Sequence, residues 1–586
     1  MHQHCDEVEN QLNSSNVGTR FLLQHADGLR KESQSVTTKQ LLAKAFLHRF
    51  TLSDVEVQAL TNREVQVNHD LFSAINHCHQ IRLDCAVLLA GDTTQTQTTQ
   101  TAGLDIMQST SKYLDKAYEK VARWTMLECR NGLIKVDDSQ TEVSLLMKKA
   151  INCLKSRPQM LEETISILTT SRSTSLLNLF LDALTRGGPS GLPRPIELNA
   201  HDPIRYVGDM LAWVHQVMAS EHEFLESLFN VKSTGKRRMM GESRVFASAQ
   251  SDHKSEEDKI ITVNSEVEDW DRVLKLLDRN LEGCTRPLKI RVLQTIKSQE
   301  SSLVAYQLTS LLEFYKTTMA ATIGPDSKLT NTLIEITTEA YGTVYSLLRA
   351  LSMQLISSLE PPPADLSVPI GLNESMANLK EIMSIYEASL EDYPMEKSFG
   401  RVLDLVIDPM LELVEKMAEM LSRKLDQLIF CVNCLEHVQN TLGDFEFTKL
   451  SSKKVKLRLE ENLTSLIQEH FKYLLNISGL QPVLEAIENK DPETPLSRVK
   501  NGDSKSITKA SEDFEKFLID LDPINSAELS LIRSTRLRSK VHRQGLNLIY
   551  QAYETLWDQV NNKSNRFEFV SMILIRSKDE VNTLIG

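Results

Sequence analysis

From Leu403 to Leu442 the chain places an apolar residue every three or four positions: Leu403, Val406, Met410, Leu413, Met417, Leu421, Leu425, Leu428, Val432, Leu435, Val438 and Leu442. That spacing follows the turn of an α-helix, about 3.6 residues, and lays one continuous apolar stripe along it. A β-strand needs alternation with a period of two, and runs such as "VEVQ" and "VQVN" are too short to compete. The pattern predicts an all-α fold. At 586 residues the chain exceeds what one core organises. We therefore expect an elongated array of helical bundles of the helical-rod type rather than a globule around one pocket.

Composition narrows the function classes. The 21 Gly and 17 Pro are too few for a loop-rich chain, and 41% hydrophobic with 25% charged residues suits a folded one. With 66 basic residues against 79 acidic, a net charge of -13 argues against a non-specific nucleic-acid binder, which needs a basic surface. The opening "MHQHCDEVENQ" lacks the basic and apolar regions of a signal peptide, and no run of eighteen apolar residues occurs. Eight cysteines, at 5, 78, 85, 129, 153, 284, 431 and 434, are too sparse for a disulfide framework and suit a reducing compartment. The chain reads as cytosolic, with any membrane role peripheral.

Near the start, Cys5, Val8, Leu12, Ser15, Thr19, Leu22, Ala26 and Leu29 alternate steps of three and four, a loose heptad. This predicts a coiled-coil-like helix that packs on a partner helix, with Val8, Leu12, Leu22 and Leu29 as candidate partner-binding residues. Residues 1–91 are accordingly read as an assembly segment, followed by a Thr/Gln-rich loop at 92–101. A bundle at 102–231 contains a hinge at 183–216, and residues 232–259 form a disordered insertion that includes "GKRR". Bundles at 260–359 and 372–487 flank a Pro-rich joint at 360–371, "EPPPADLSVPIG". A polar linker at 488–510 precedes the C-terminal helical segment, 511–586. Asp-Pro pairs at 202–203, 408–409, 491–492 and 522–523 read as helix starts, with Asp capping and Pro at the first position.

Enzymatic patterns fail one by one. His222-Glu223 lacks the second His that a zinc-protease helix needs, since Glu226 stands there. Cys431, Cys434 and His437 share a helical face, but no second ligand pair lies nearby; cysteines in an apolar stripe read as small buried hydrophobes. "GGPSGLPRP" lacks the Lys-Ser/Thr ending of a phosphate loop, and no nucleophile elbow occurs. Glu221, Glu223 and Glu226 read as a solvated helix face. No catalytic residue, metal ligand or cofactor site is assigned.

The stretch 183–216 concentrates unusual residues. Gly187, Gly188 and Gly191 permit a tight turn, Pro193 and Pro195 stiffen its exit, and Asp202-Pro203 opens a helix. That helix would bury Val207, Met210, Leu211, Val214, Val217 and Met218, with Trp213 at the margin. The residues alone describe an ordered hinge.

The same block, "FLDALTRGGPSGLPRPIELNAHDPIRYVGDMLAWVHQ", resembles the signature of the family of subunit six of the conserved oligomeric Golgi complex. In that family "DALTRGGP", "PRPIE", "HDP" and "RYVGDMLAWLHQ" recur in this order. Gly187, Gly188, Pro193, Pro195, Asp202, Pro203, Tyr206 and Trp213 fall on the matching positions, and Val214 is a mild departure. "TAGLDIM" at 101–107, "GCTRPLKIRV" at 283–292, "LLEFY" at 311–315, "LEPPPADL" at 359–366 and "FEFT" at 445–448 extend the likeness. The resemblance implies a non-enzymatic, cofactor-free subunit of a vesicle tether on the cytosolic face of the Golgi, peripheral to the membrane. It implies partnership with subunits five, seven and eight, and capture of retrograde intra-Golgi vesicles through SNAREs, Rab GTPases and coiled-coil tethers, keeping glycosylation enzymes in place. It also implies more helical sequence ahead of the heptad stretch, so the chain is expected to be N-terminally shortened. The competing expectation is a cytosolic all-α adaptor unrelated to tethering, which as a solenoid would show a repeat that this sequence lacks.

Overall fold

The computed structural model describes residues 1–90, 97–131, 143–188, 192–231, 256–357, 359–389, 395–491, 494–519 and 529–585. Among these described residues there is no strand, and the fold is all-α. In chain order the helices are α1 (His2–Phe50), α2 (Asp54–Thr61), α3 (His69–Ala90), α4 (Gln97–Asn131), α5 (Leu145–Leu154), α6 (Pro158–Thr185) and α7 (Pro203–Phe229). There follow α8 (Glu256–Lys297), α9 (Ser302–Ile323), α10 (Lys328–Ser357), α11 (Ile370–Ser389), α12 (Met395–Glu419), α13 (Lys424–Gly443) and α14 (Lys449–Ile477). The last are α15 (Gln481–Glu488), α16 (Ser504–Ile519), α17 (Thr535–Asn561), α18 (Val570–Ile573) and α19 (Lys578–Ile585). The chain forms two compact units. One comprises Met1–Leu198, Met210–Pro287 and Thr322–Leu329, the other Asn199–Asp209, Leu288–Ala321 and Thr330–Gly586.

In the first unit, Ser53 and Glu56 form a reciprocal capping box. The Glu56 amide donates to the Ser53 hydroxyl at 3.3 Å, and the Ser53 amide donates to Glu56 Oε2 at 2.8 Å. The other Glu56 oxygen lies 2.9 Å from His77 Nδ1, which ties α2 to α3. Farther along, α6 buries Leu161, Ile165, Leu168, Leu176, Phe180 and Leu184 on one face, and Arg172 stands in the same series. A guanidinium there must find an anion. Glu221 of α7 provides it: Arg172 Nε donates to Oε1 at 3.1 Å, and Nη2 donates to Oε2. Asn280 of α8 donates to the same Oε1 at 2.8 Å, and the guanidinium carbon lies 4.6 Å from the centre of the Phe224 ring.

This corrects the expectation of a solvated Glu221, Glu223 and Glu226 face. Glu221 is buried, Glu226 is half-buried and Glu223 is exposed. The reason is register: Glu221 falls three residues after Met218 and four before Leu225, within the stripe that α7 turns inward.

Among the described residues of the second unit, two hydrophobic cores stand out. One gathers residues of α9 through α14 with the start of α17, from Ala305 to Val541. The other runs from Leu474 to Ile585 and is built by the end of α14 with α15 through α19. The expected partition into separate bundles at 260–359, 372–487 and 511–586 therefore does not match the cores, since the first core draws on all three. The Pro-rich joint 360–371 is itself held in this core. Asn433 Nδ2 donates to Leu366 O at 2.9 Å and Leu531 O at 3.0 Å, while its Oδ1 accepts from the Arg533 amide at 3.0 Å. Asp365 pairs with Arg533 beside it. Likewise the linker read at 488–510 already contains the start of α16.

The stripe from Leu403 to Leu442 is two helices, not one. The amides of Met420 and Leu421 bond back to Met417 O and Ala418 O at 3.2 and 3.0 Å, and Arg423 is extended. Asp408-Pro409 does not start a helix but lies inside α12, whose Leu405 carbonyl consequently lacks its amide donor. The Ser352 hydroxyl of α10 lies 3.0 Å from that carbonyl and 3.0 Å from Leu348 O of its own helix, so its one proton is shared between them, and Asp408 accepts from Lys454 at 2.6 Å. Of the other Asp-Pro pairs, 202–203 does open α7, while Pro492 and the 522–523 pair lie outside the described residues. Of the Thr/Gln stretch 92–101, residues 92–96 lie outside them and α4 begins at Gln97. Of 232–259, residues 232–255, with "GKRR", lie outside them and α8 begins at Glu256.

Candidate docking surface

Helix α1 runs for 49 residues, about 75 Å at ~1.5 Å per residue, and Phe50 is its one buried residue. Phe50 packs on Ile81 and Cys85 of α3 and on half-buried Leu52, Ile106 and Met107. Beside it, Arg49 Nε donates to Asp84 Oδ2 at 2.7 Å and Nη2 to Oδ1 at 3.0 Å, and Gln80 adds a third bond at 3.1 Å. The Arg49 bonds hold the Asp84 carboxyl below its usual range. The C-terminal end of α1 is thus anchored in the first unit, while every residue before Phe50 faces solvent.

The candidate residues lie on this open helix. Val8, Leu12, Leu22 and Leu29 are 55%, 64%, 68% and 60% exposed. The alternation does not stop at Leu29. Continued by threes and fours it passes Ser33, Val36, Gln40, Ala43 and Leu47 and ends on Phe50. Polar Ser33 and Gln40 interrupt it. Phe21, Leu41 and Phe46 add exposed apolar area off that line. A monomeric surface seldom leaves this much contiguous apolar side chain open, and on a helix it suits packing against other helices.

The signature block is placed differently. Gly187 has φ +77, and a Cβ there would lie 2.4 Å from Pro193 O; at Gly188 it would lie 2.1 Å from Leu192 O. The Gly188 amide donates to Pro193 O at 2.9 Å, closing the turn that Pro193 and Pro195 leave. Gly191 lies outside the described residues. Asp202 caps α7 by accepting from the Arg205 amide at 3.2 Å, with Pro203 as the first residue. Tyr206 is buried, and half-buried Trp213 meets Phe180 with ring centres 5.0 Å apart. Val207, Met210, Leu211, Val214 and Met218 are buried, whereas Val217 is half-buried. These residues build the turn after α6 and the start of α7, whereas Val8, Leu12, Leu22 and Leu29 lie on the open part of α1.

Cys434 is buried and burial raises its thiol pKa, while Cys431 is pushed up to about 11 by the same cause. Among the described residues no group of three His, Cys, Asp or Glu side chains is arranged to hold a metal ion. Nor is any helix among them long and apolar enough to cross a membrane.

Comparison with known proteins supplies the biological context. Residues 100–585 match the family model "Conserved Oligomeric Golgi complex subunit 6, C-terminal", and residues 1–63 match "Conserved oligomeric complex COG6, N-terminal". The conserved oligomeric Golgi complex subunit 6 of Cryptococcus neoformans is 40% identical over 595 residues, covering 100% of this chain and 76% of the relative. That of Homo sapiens is 31% identical over 572 residues, covering 97% and 80%. Among solved structures, S. cerevisiae Exo70 aligns with a TM-score of 0.48 and 10% identity over 93% of this chain and 98% of its own.

Proposed function

Since this chain belongs to the conserved oligomeric Golgi complex subunit 6 family, and is as such a subunit of a Golgi tethering complex, we propose that α1 is its assembly element. In this reading α1 packs its open stripe into a bundle with helices of sister subunits, those numbered five, seven and eight foremost. The two folded units present surfaces to SNAREs, Rab GTPases and coiled-coil tethers on the cytosolic face of the Golgi. The subunit is non-catalytic and peripheral to the membrane, and it supports retrograde intra-Golgi transport and so the retention of glycosylation enzymes.

The observation that carries this reading is the exposure of Val8, Leu12, Leu22 and Leu29 on a helix anchored at one end. Burying a large aliphatic side chain contributes about 1.5–3 kcal/mol. Association itself costs about 4–15 kcal/mol, so several such residues must be buried together. A single truncation would be a weak test. Leu12→Asp with Leu22→Asp places two carboxylates in the proposed seam, and we expect loss of co-purification with the sister subunits at nearly unchanged helical circular dichroism. Partners that remain bound would remove α1 from the interface.

A further inference from the structure

Between α2 and α3 the backbone of residues 62–67, "NREVQV", runs beside α4 and bounds an open groove of about 600 Å³ in the first unit. Its walls are apolar: Val67 is buried, Trp124 is half-buried, and Val65 and Leu127 are exposed. Its rim is basic. Arg63, Lys116, Lys120 and Arg123 line it against Glu64 and Glu119, and Glu119 is taken by Arg123 at 3.0 Å. Lys120 places its ammonium 2.8 Å from both Ala59 O and Asn62 O, on the carbonyl end of α2, so no carboxylate meets that charge. Among the described residues Arg63 and Lys116 make no ion pair either. In a chain of net charge -13, a groove with a cationic excess stands out.

The backbone adds a second, independent observation. Among the described residues, the amides of Val65, Gln66 and Val67 make no hydrogen bond within the chain, although this segment lines the groove. Residues 63–65 are bent and 66–68 carry no regular structure, so the free amides act as individual main-chain donors to a peptide lying in the trough: these bonds supply affinity and the apolar wall supplies specificity.

We infer that the groove between residues 62–67 and α4 is a docking site for an extended, acidic segment of a partner protein, with an apolar side chain seated between Trp124 and Leu127. The acidic residues of that segment meet Arg63, Lys116 and Lys120, and its carbonyls accept from the free amides of Val65–Val67. This surface is distinct from the open stripe of α1, so its failure leaves the assembly reading untouched.

The test selects peptides from a randomised displayed library on the full chain, then measures the selected peptides, fluorescein-labelled, by anisotropy. We expect a consensus rich in Asp and Glu around one apolar residue, and binding that weakens as salt rises. Arg63→Glu with Lys116→Glu changes two exposed rim residues and should weaken binding at least about tenfold. Leu127→Ser should weaken it with no change in salt dependence. Both variants should keep the wild-type circular dichroism. Peptides without acidic bias, or acidic peptides that bind the charge-reversed variant as well as wild type, would overturn the proposal. So would charge-sensitive binding to phosphatidylserine vesicles with no peptide selected, which would make the groove a lipid site instead.

Discussion

Replacing Arg172 by Met should be among the most damaging single changes in the first unit. The side chains of Arg172 and Glu221 are 5% and 1% exposed, and each completes the other. Methionine fills much of the volume but leaves the Glu221 carboxylate buried with the Asn280 amide as its remaining side-chain donor. Breaking a buried pair by removing one partner costs about 3–5 kcal/mol, because an uncompensated charge stays behind. For a unit of this size that corresponds to a fall in melting temperature on the order of 10 °C. Removing both charges is a different perturbation: Arg172→Met with Glu221→Leu leaves no buried charge and should cost less than the single change, the remaining cost of about 1–3 kcal/mol coming from the buried Asn280 amide that loses its acceptor. Because the chain has two units, the assay is hydrogen exchange read separately on α6, α7 and α8, with thermal circular dichroism as the global measure. A single variant costing under about 1 kcal/mol, or a double variant as damaged as the single, would refute the account of this site.

Two smaller perturbations test other devices. Ser352→Ala removes the donor that serves Leu405 O, and should cost about 1–3 kcal/mol with faster exchange around Pro409; an unchanged urea midpoint would mean that the carbonyl does not need it. His470, buried on α14, has its Nε2 3.3 Å from Nδ1 of His542 on α17, and burial followed by the His542 charge lowers its pKa from 6.5 to about 4. The unfolded chain therefore takes up this proton at higher pH than the folded one. Stability is kept above pH 6.5 and is lost as pH falls toward about 4, by roughly 3 kcal/mol in all. His470→Leu should flatten that slope in urea melts; equal slopes in the two proteins would contradict the assignment.

Helix faces were legible because burial and sequence share a period. Val207, Met210, Leu211, Val214 and Met218 were placed inward by spacing alone, and Asp202-Pro203 was placed correctly as a start. The break at Met420–Arg423 was not legible, because α12 and α13 bury into the same core and the three-and-four spacing runs through the turn undisturbed. Pro409 misled for a related reason. The group that reaches the carbonyl freed by Pro409 is Ser352, distant in sequence and on another helix. Glu221 was misread because a carboxylate in an inward position is understood only with Arg172 and Asn280 in view. The α1 stripe is legible from Cys5 to Leu29, and the same spacing continues through Ser33 and Gln40 to Phe50.

The central claim is that this chain works as part of a larger helical assembly. Its most direct test is affinity purification of the tagged full chain from native cells, carried through moderate salt, with stoichiometric partners identified by mass spectrometry. The account predicts recovery of the sister subunits of the conserved oligomeric Golgi complex at equimolar amounts. Recovery of the chain alone and monodisperse, with α1 still helical, would contradict it.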